Sequence, residues 1–156
     1  MKVLALDLAT NTGFYDGEEM GSIKLPKDTR VTAFWDWLRQ KVYKDGELVY
    51  EAVAIENAIG QRAFALEVFH ELKAVTKLVT QMADIPLYSY APNHIKKVFT
   101  GNGNAKKPDI VEKCLDMGVE IPYRILKSGK NKGDRRYDDD IADAVAIYHT
   151  HLHNEG

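Results

Sequence analysis

The sequence predicts an α/β fold, a five-stranded mixed sheet made of a three-strand antiparallel meander plus two parallel strands, flanked by helices. Three observations predict it. Three short strand-like runs come first and are separated by turn signals, the order of an antiparallel meander. Helical and strand patterns then alternate as far as residue 90, the order of parallel βα units. Two of the strand runs are apolar almost throughout, as buried central strands are.

Lys2–Leu8 is the first strand, Gly13–Tyr15 the second and Met20–Leu25 the third, with Asp16-Gly17 as a hairpin turn between them. Pro26 ends the third strand. Thr29 is placed to cap a helix whose apolar face is Val31, Phe34, Trp35, Leu38 and Val42, and which ends near Gly46. Trp35 is expected in the core and Trp37 partly exposed. Tyr50–Glu56 is the fourth strand. Gln61 to Ala83 is the longest helix, and its apolar residues exceed one narrow stripe, so both the sheet and a partner are expected to cover it. Ile85–Tyr90 is the fifth strand. Pro92 opens a short helix through Phe99, and Pro108 another that stops at Gly118. Residues 119–138 read as mostly irregular around Lys127–Gly133. A last helix runs from Asp139 to His153, where His149 and His153 are read as a fraying tail because two histidines are too few for zinc.

The chain has 156 residues, 45% hydrophobic and 28% charged, the size and composition of one globular domain spanning 1–156. No apolar run approaches the roughly 20 residues of a membrane helix, and the N-terminus does not read as a signal peptide. The single cysteine, Cys114, suits a reducing cytoplasm and reads as small apolar filler on a helix. Net charge is −2, but it is unevenly spread. From Asn93 to Arg136 there are eleven Lys/Arg against five Asp/Glu, leaving the rest of the chain acidic. An acidic body with one basic block fits a nuclease with a local phosphate-contacting surface; the alternative is a solvated charge run.

Four acidic residues carry the chemistry. Asp7 ends the run Val3-Leu4-Ala5-Leu6, and Glu56 ends Ala52-Val53-Ala54-Ile55. Asp140 and Asp143 stand three apart at the start of the last helix and so share one face. A carboxylate at the tip of an apolar strand is costly to desolvate unless it is paired or bound to a cation. Two strand tips and a helix pair can make an oxygen-rich cage for two magnesium ions, with Asp7 as the bridging ligand and manganese able to substitute. Each acid has another reading. Asp7 could bind backbone in a turn, and Asp138, Asp139, Asp140 and Asp143 could each simply favour a helix N-terminus.

The motif order resembles the RuvC-type Holliday junction resolvases of the ribonuclease H-like superfamily. Leu6-Asp7 with Thr12-Gly13 matches the first motif, and Ala54-Ile55-Glu56 the second. Tyr90-Ala91-Pro92 and Ile95-Lys96-Lys97-Val98, with Thr100 to Lys107, resemble the lysine-bearing segment. Asp140-Ile141-Ala142-Asp143-Ala144-Val145-Ala146-Ile147 matches the last motif. The resemblance implies a ribonuclease H-like fold and a magnesium-dependent homodimeric endonuclease of DNA recombination and repair that cuts two symmetric strands of a four-way junction. It assigns Asp7, Glu56, Asp140 and Asp143 to metal and catalysis, and Lys107 to the scissile phosphate. Lys96, Lys97, Lys106, Lys127, Lys130, Lys132, Arg135 and Arg136 are expected to contact DNA backbone.

The chain departs from the pattern in three places. Leu8-Ala9 stand where the family usually has Pro-Gly, with one residue fewer before Gly13. Ile59 occupies the place of an aromatic that stacks at the crossover, and Phe64 is the nearest substitute. The Gly118–Asp138 stretch is longer and more basic than in cellular members. These features look like phage-encoded relatives, active in the cytoplasm of a bacterial host, some of which cut several branched DNAs. The competing readings are a non-catalytic DNA-binding relative, an RNA-processing nuclease of the same superfamily, and a phosphotransferase of the actin-like or sugar-kinase type. The last needs two copies of the fold, and the length holds one.

Overall fold

A computed structural model describes residues 2–155. Its elements, in chain order, are β1 (Lys2–Asp7), β2 (Asn11–Tyr15), β3 (Met20–Lys24), α1 (Arg30–Val42), β4 (Tyr43–Lys44), β5 (Glu47–Leu48), β6 (Tyr50–Glu56), α2 (Ala63–Met82), β7 (Leu87–Tyr90), α3 (Pro92–Thr100), α4 (Lys107–Asp116), β8 (Tyr123–Ile125), β9 (Arg135–Tyr137) and α5 (Asp139–Glu155). The main sheet has the order β3-β2-β1-β6-β7, with β1, β2 and β3 antiparallel and β1, β6 and β7 parallel. This is the expected five-stranded mixed sheet.

The pleat of β1 and β6 sorts their side chains by size. Leu4, Leu6, Val53 and Ile55 face one layer, where they meet Phe34 and Leu38 of α1 and Val68, Leu72 and Val79 of α2. Val3, Ala5, Ala52 and Ala54 face the other, against α3, α4 and α5. Alternation is the strand period, and it puts small residues where α5 crosses. Ala142, Ala144 and Ala146 of α5 are buried in the same layer. Small side chains on both surfaces bring that helix close to the sheet. Gly13 is part of the same fit, since a Cβ there would run into the Asp140 carbonyl. α5 therefore delivers its first turn directly onto the tips of β1 and β2.

Several details differ from the sequence reading. α1 stops at Val42, and the chain turns back as a β4–β5 hairpin through Asp45 and Gly46, both at positive φ. Thr29 makes no side-chain cap; its carbonyl instead accepts the Ala33 amide at 2.8 Å. Val31 is exposed, and Trp35 lies partly open beneath Arg39. Trp37 is partly exposed, as expected, with its ring 5.3 Å from Phe14 and 6.0 Å from Phe34. Residues 119–138 are not irregular throughout: β8 and β9 pair as an antiparallel ribbon with Lys127–Gly133 in its loop. α5 does not fray at His149. That ring stacks on Phe99, and the next histidine, His151, is buried within 2.7 Å of the Tyr90 hydroxyl. Cys114 is buried on α4, as expected.

Candidate active site

Parallel pairing of β1 with β6 sets Leu6 beside Ile55, so the next residues, Asp7 and Glu56, end adjacent strands. The loop after Asp7 is closed by Thr12, whose hydroxyl donates to the Ala9 carbonyl at 2.7 Å. Asp138 receives the Ile141 amide at 3.1 Å and thereby caps α5, the role open to it from sequence. The helix that it caps presents Asp140 and Asp143 to the strand tips. Asp7, Glu56, Asp140, Asp143 and Lys107 line one cleft of about 520 Å³, together with Lys96 and Phe64.

The carboxylates disturb one another. Burial, followed by the charges of Asp143, Glu56 and Asp140, holds the Asp7 carboxyl well above its ordinary range. Glu56 is pushed up to about 7 by burial and then by Asp143, against the pull of Lys96 and Lys107. Asp143 is raised to about 6, again chiefly by burial, with the Lys107 ammonium opposing. Asp140 is raised by burial too, while a hydrogen bond from Asn11 works the other way. Lys107 lies 3.7 Å from Asp143 and 3.8 Å from Asp139. Burial works against its charge, but Asp143, Asp139, Asp7 and Asp140 outweigh that and raise its pKa.

Among the described residues, no three acids, histidines or cysteines stand close enough as placed to hold one ion. The donor chemistry nevertheless fits a hard dication. Four carboxylates face one cleft with two lysines, Lys96 and Lys107, so their mutual repulsion is only partly offset. Magnesium takes oxygen ligands and keeps several waters, so four side chains suffice.

Not every predicted contact residue reaches the cleft. Lys97 turns back to the Gly101 carbonyl at 3.3 Å, and Lys106 precedes α4, where its amide donates to Asp109 at 2.9 Å. Lys127, Lys130 and Lys132 are exposed on the ribbon loop, with Arg135 and Arg136 on β9. Ile59 and Phe64 are 65% and 62% exposed, and Arg30 sits 5.6 Å from the centre of the Phe64 ring. The aromatic is therefore presented at the cleft from the start of α2 rather than from the preceding loop. Asn11 escaped the sequence reading. Its amide donates to Asp140 at 2.6 Å across 129 residues of chain, and an asparagine at the start of a strand carries no local signal of such a reach.

This sheet order, with acids at two strand tips and on the helix laid across them, defines a ribonuclease H-like fold. No family model matches the chain. Among curated proteins it is similar to "Crossover junction endodeoxyribonuclease RuvC" of Rhizobium etli, 31% identical over 106 residues, 68% of this chain and 55% of the relative. The protein of the same description in Chlamydia trachomatis is 31% identical over 81 residues, 52% of this chain and 42% of the relative. The chain thus spans about half the length of the curated relatives it matches. The fold is similar to that of Thermus thermophilus RuvC in complex with a Holliday junction substrate, with TM-score 0.74, 20% identity, and 99% of this chain and 94% of that one covered. The yeast mitochondrial Holliday junction resolvase Ydc2 is a more distant match, with TM-score 0.60, 14% identity, and 95% and 76% covered. Fold and sequence similarity agree: the chain resembles the RuvC-type Holliday junction resolvases.

Proposed function

We propose that the protein is a metal-dependent, structure-selective DNA endonuclease that resolves four-way junctions and other branched DNA by phosphodiester hydrolysis. The observation that carries this reading is the convergence of Asp7, Glu56, Asp140, Asp143 and Lys107 on one cleft. The similarity to proteins described as crossover junction endodeoxyribonucleases supports it.

Asp7, Glu56, Asp140 and Asp143 would hold two magnesium ions, for which manganese substitutes. When bound, such ions activate water and stabilise the leaving oxygen. The chain's own residues do the rest. Asn11 fixes one oxygen of Asp140 and so limits how that carboxylate turns. Lys107 reaches the same acids from the first turn of α4 and has its charge free for a phosphate once they are neutralised. Phe64 offers an exposed ring at the cleft mouth, where a base separated from its partner can stack. Lys96 lines the cleft, and Lys127, Lys130, Lys132, Arg135 and Arg136 supply positive charge for the backbone.

A junction with two symmetric cuts calls for two sites, hence a homodimer. The exposed apolar Leu78 and Met82 on the outer side of α2 support that helix as its seat. No helix among the described residues is long and apolar enough to cross a membrane, and the reading extends to a cytoplasmic location in a bacterial cell. The test compares a four-way junction, linear duplex and RNA–DNA hybrid, each with magnesium and with chelator. Magnesium-dependent cleavage of the junction is expected. Preferential cleavage of the hybrid would instead indicate an RNA-processing enzyme, and tight binding without cleavage a non-catalytic relative.

A further inference from the structure

The β8–β9 ribbon has more to it than surface lysines. Arg124 stands directly opposite Arg136 across the two strands, and neither has a carboxylate within ion-pair distance among the described residues. Like charges directly opposed on an antiparallel pair are destabilising, so this pairing suits a ribbon that meets an anion. Tyr123 and Tyr137 are also directly opposed, with ring centroids 5.4 Å apart. The Arg135 guanidinium lies 4.4 Å from the centre of the Tyr123 ring. Tyr123 nonetheless remains 49% exposed, so a ring flanked by a cation is offered to solvent. Basic groups interleaved with an open aromatic are what a single nucleic-acid strand binds, by charge on its phosphates and stacking on its bases.

The ribbon's position ties this surface to the site. Tyr123, Arg124, Arg136 and Tyr137 border a groove of about 450 Å³ that ends at Asn11 and Asp140. Asp140 also lines the catalytic cleft, so the two share a wall. Asp138, Asp139 and Asp140 line the same groove, so the arginines there face carboxylates as well as any bound phosphate; Asp138 caps α5 and Asp139 is 3.8 Å from Lys107.

We propose that the ribbon is an accessory nucleotide subsite for unpaired DNA at a branch: an unpaired base stacks on Tyr123, Arg135 on the same face takes its phosphate, and Arg124 and Arg136, on the opposite face, hold the neighbouring backbone. Arginine's planar fork suits phosphate oxygens. A fully paired arm keeps its bases stacked on one another and presents none to Tyr123. The proposal rests on the nuclease reading above and adds a substrate class to it, branches that carry unpaired nucleotides.

The test measures equilibrium binding in magnesium, in the Asp7→Asn background to prevent turnover. Two DNAs with the same arms are compared: a fully paired four-way junction, and one with a short unpaired gap at the branch containing 2-aminopurine. The background protein should quench 2-aminopurine fluorescence, and Tyr123→Phe should keep the quench. Tyr123→Ala should abolish it and lower the ratio of gapped to paired affinity by roughly 10-fold or more, since stacking on one aromatic ring accounts for about that much. Arg124→Ala should weaken both DNAs. An unquenched probe, an unchanged ratio in Tyr123→Ala, or equal loss for both DNAs would overturn the subsite while leaving the nuclease reading intact. A protein that binds neither DNA would instead sink the nuclease reading, and the subsite with it.

Discussion

Glu56→Gln should stabilise the metal-free protein while destroying its activity. Glu56 accepts no side-chain hydrogen bond among the described residues, and burial with the nearby Asp143 charge holds it at about 7 instead of 4.5. An acid raised in the folded state keeps its proton there after the unfolded chain has lost its own. Stability therefore falls as pH rises from about 4.5 to about 7, and the loss is complete above that. Ionising Glu56 in the fold costs about 3 kcal/mol at pH 8 but under about 1 kcal/mol at pH 5. A neutral isostere removes the cost. In chelator at pH 8, Glu56→Gln should melt roughly 6–12 °C above the wild type, for a chain of this size. At pH 5 the two should nearly coincide. Magnesium should raise the wild-type melting temperature at pH 8 much more than that of the variant, and junction cleavage by the variant should fall by orders of magnitude. Equal destabilisation at both pH values would refute the reasoning, because it would mean that the fold satisfies the Glu56 charge without a cation.

Gly13→Ala drives a methyl group into the Asp140 carbonyl, so thermal melting should show a loss of more than about 2 kcal/mol, with cleavage reduced as α5 is displaced. Asp138→Ala removes the amide cap at Ile141 and should cost about 1 kcal/mol, while turnover measured well below the melting temperature stays within a few-fold of wild type. Replacing Lys130, Lys132, Arg135 and Arg136 together by Ala should weaken binding to every DNA shape. The slope of log affinity against log salt should drop by up to about 3–4; a loss confined to one shape with the slope unchanged would make the loop a shape reader.

The sheet and its acids were legible because burial writes itself into sequence. β1 and β6 are buried on both faces, so Val3–Leu6 and Ala52–Ile55 are apolar without interruption, and the acids at their ends stand out. Asp140 and Asp143 stood out for the same reason, on a helix whose other faces are apolar. The β8–β9 ribbon packs little against the core and its six residues are mostly exposed, so no burial period marks it. The β4–β5 hairpin did carry a signal, Asp45-Gly46, which suits a tight turn with both residues at positive φ. The apolar period of α1 running up to it masked that signal. Trp35 and Trp37 show a further limit. Both flank the buried face of α1 and both are partly buried; helical spacing alone put Trp35 in the core, whereas it lies partly open under Arg39. Asn11 was hidden because its value lies in a partner at the far end of the chain.

The central claim is that Asp7 and its three neighbours form a metal-dependent hydrolytic site. The most direct measurement is single-turnover cleavage of a four-way junction by wild type and Asp7→Asn, in magnesium and in chelator, alongside binding of the same DNA. Wild type should cut in magnesium alone. Asp7→Asn should not cut, yet should bind the junction at least as tightly, because a buried negative charge facing phosphates has been removed. Near-normal turnover by Asp7→Asn, or wild-type cleavage that persists in chelator, would contradict the assignment.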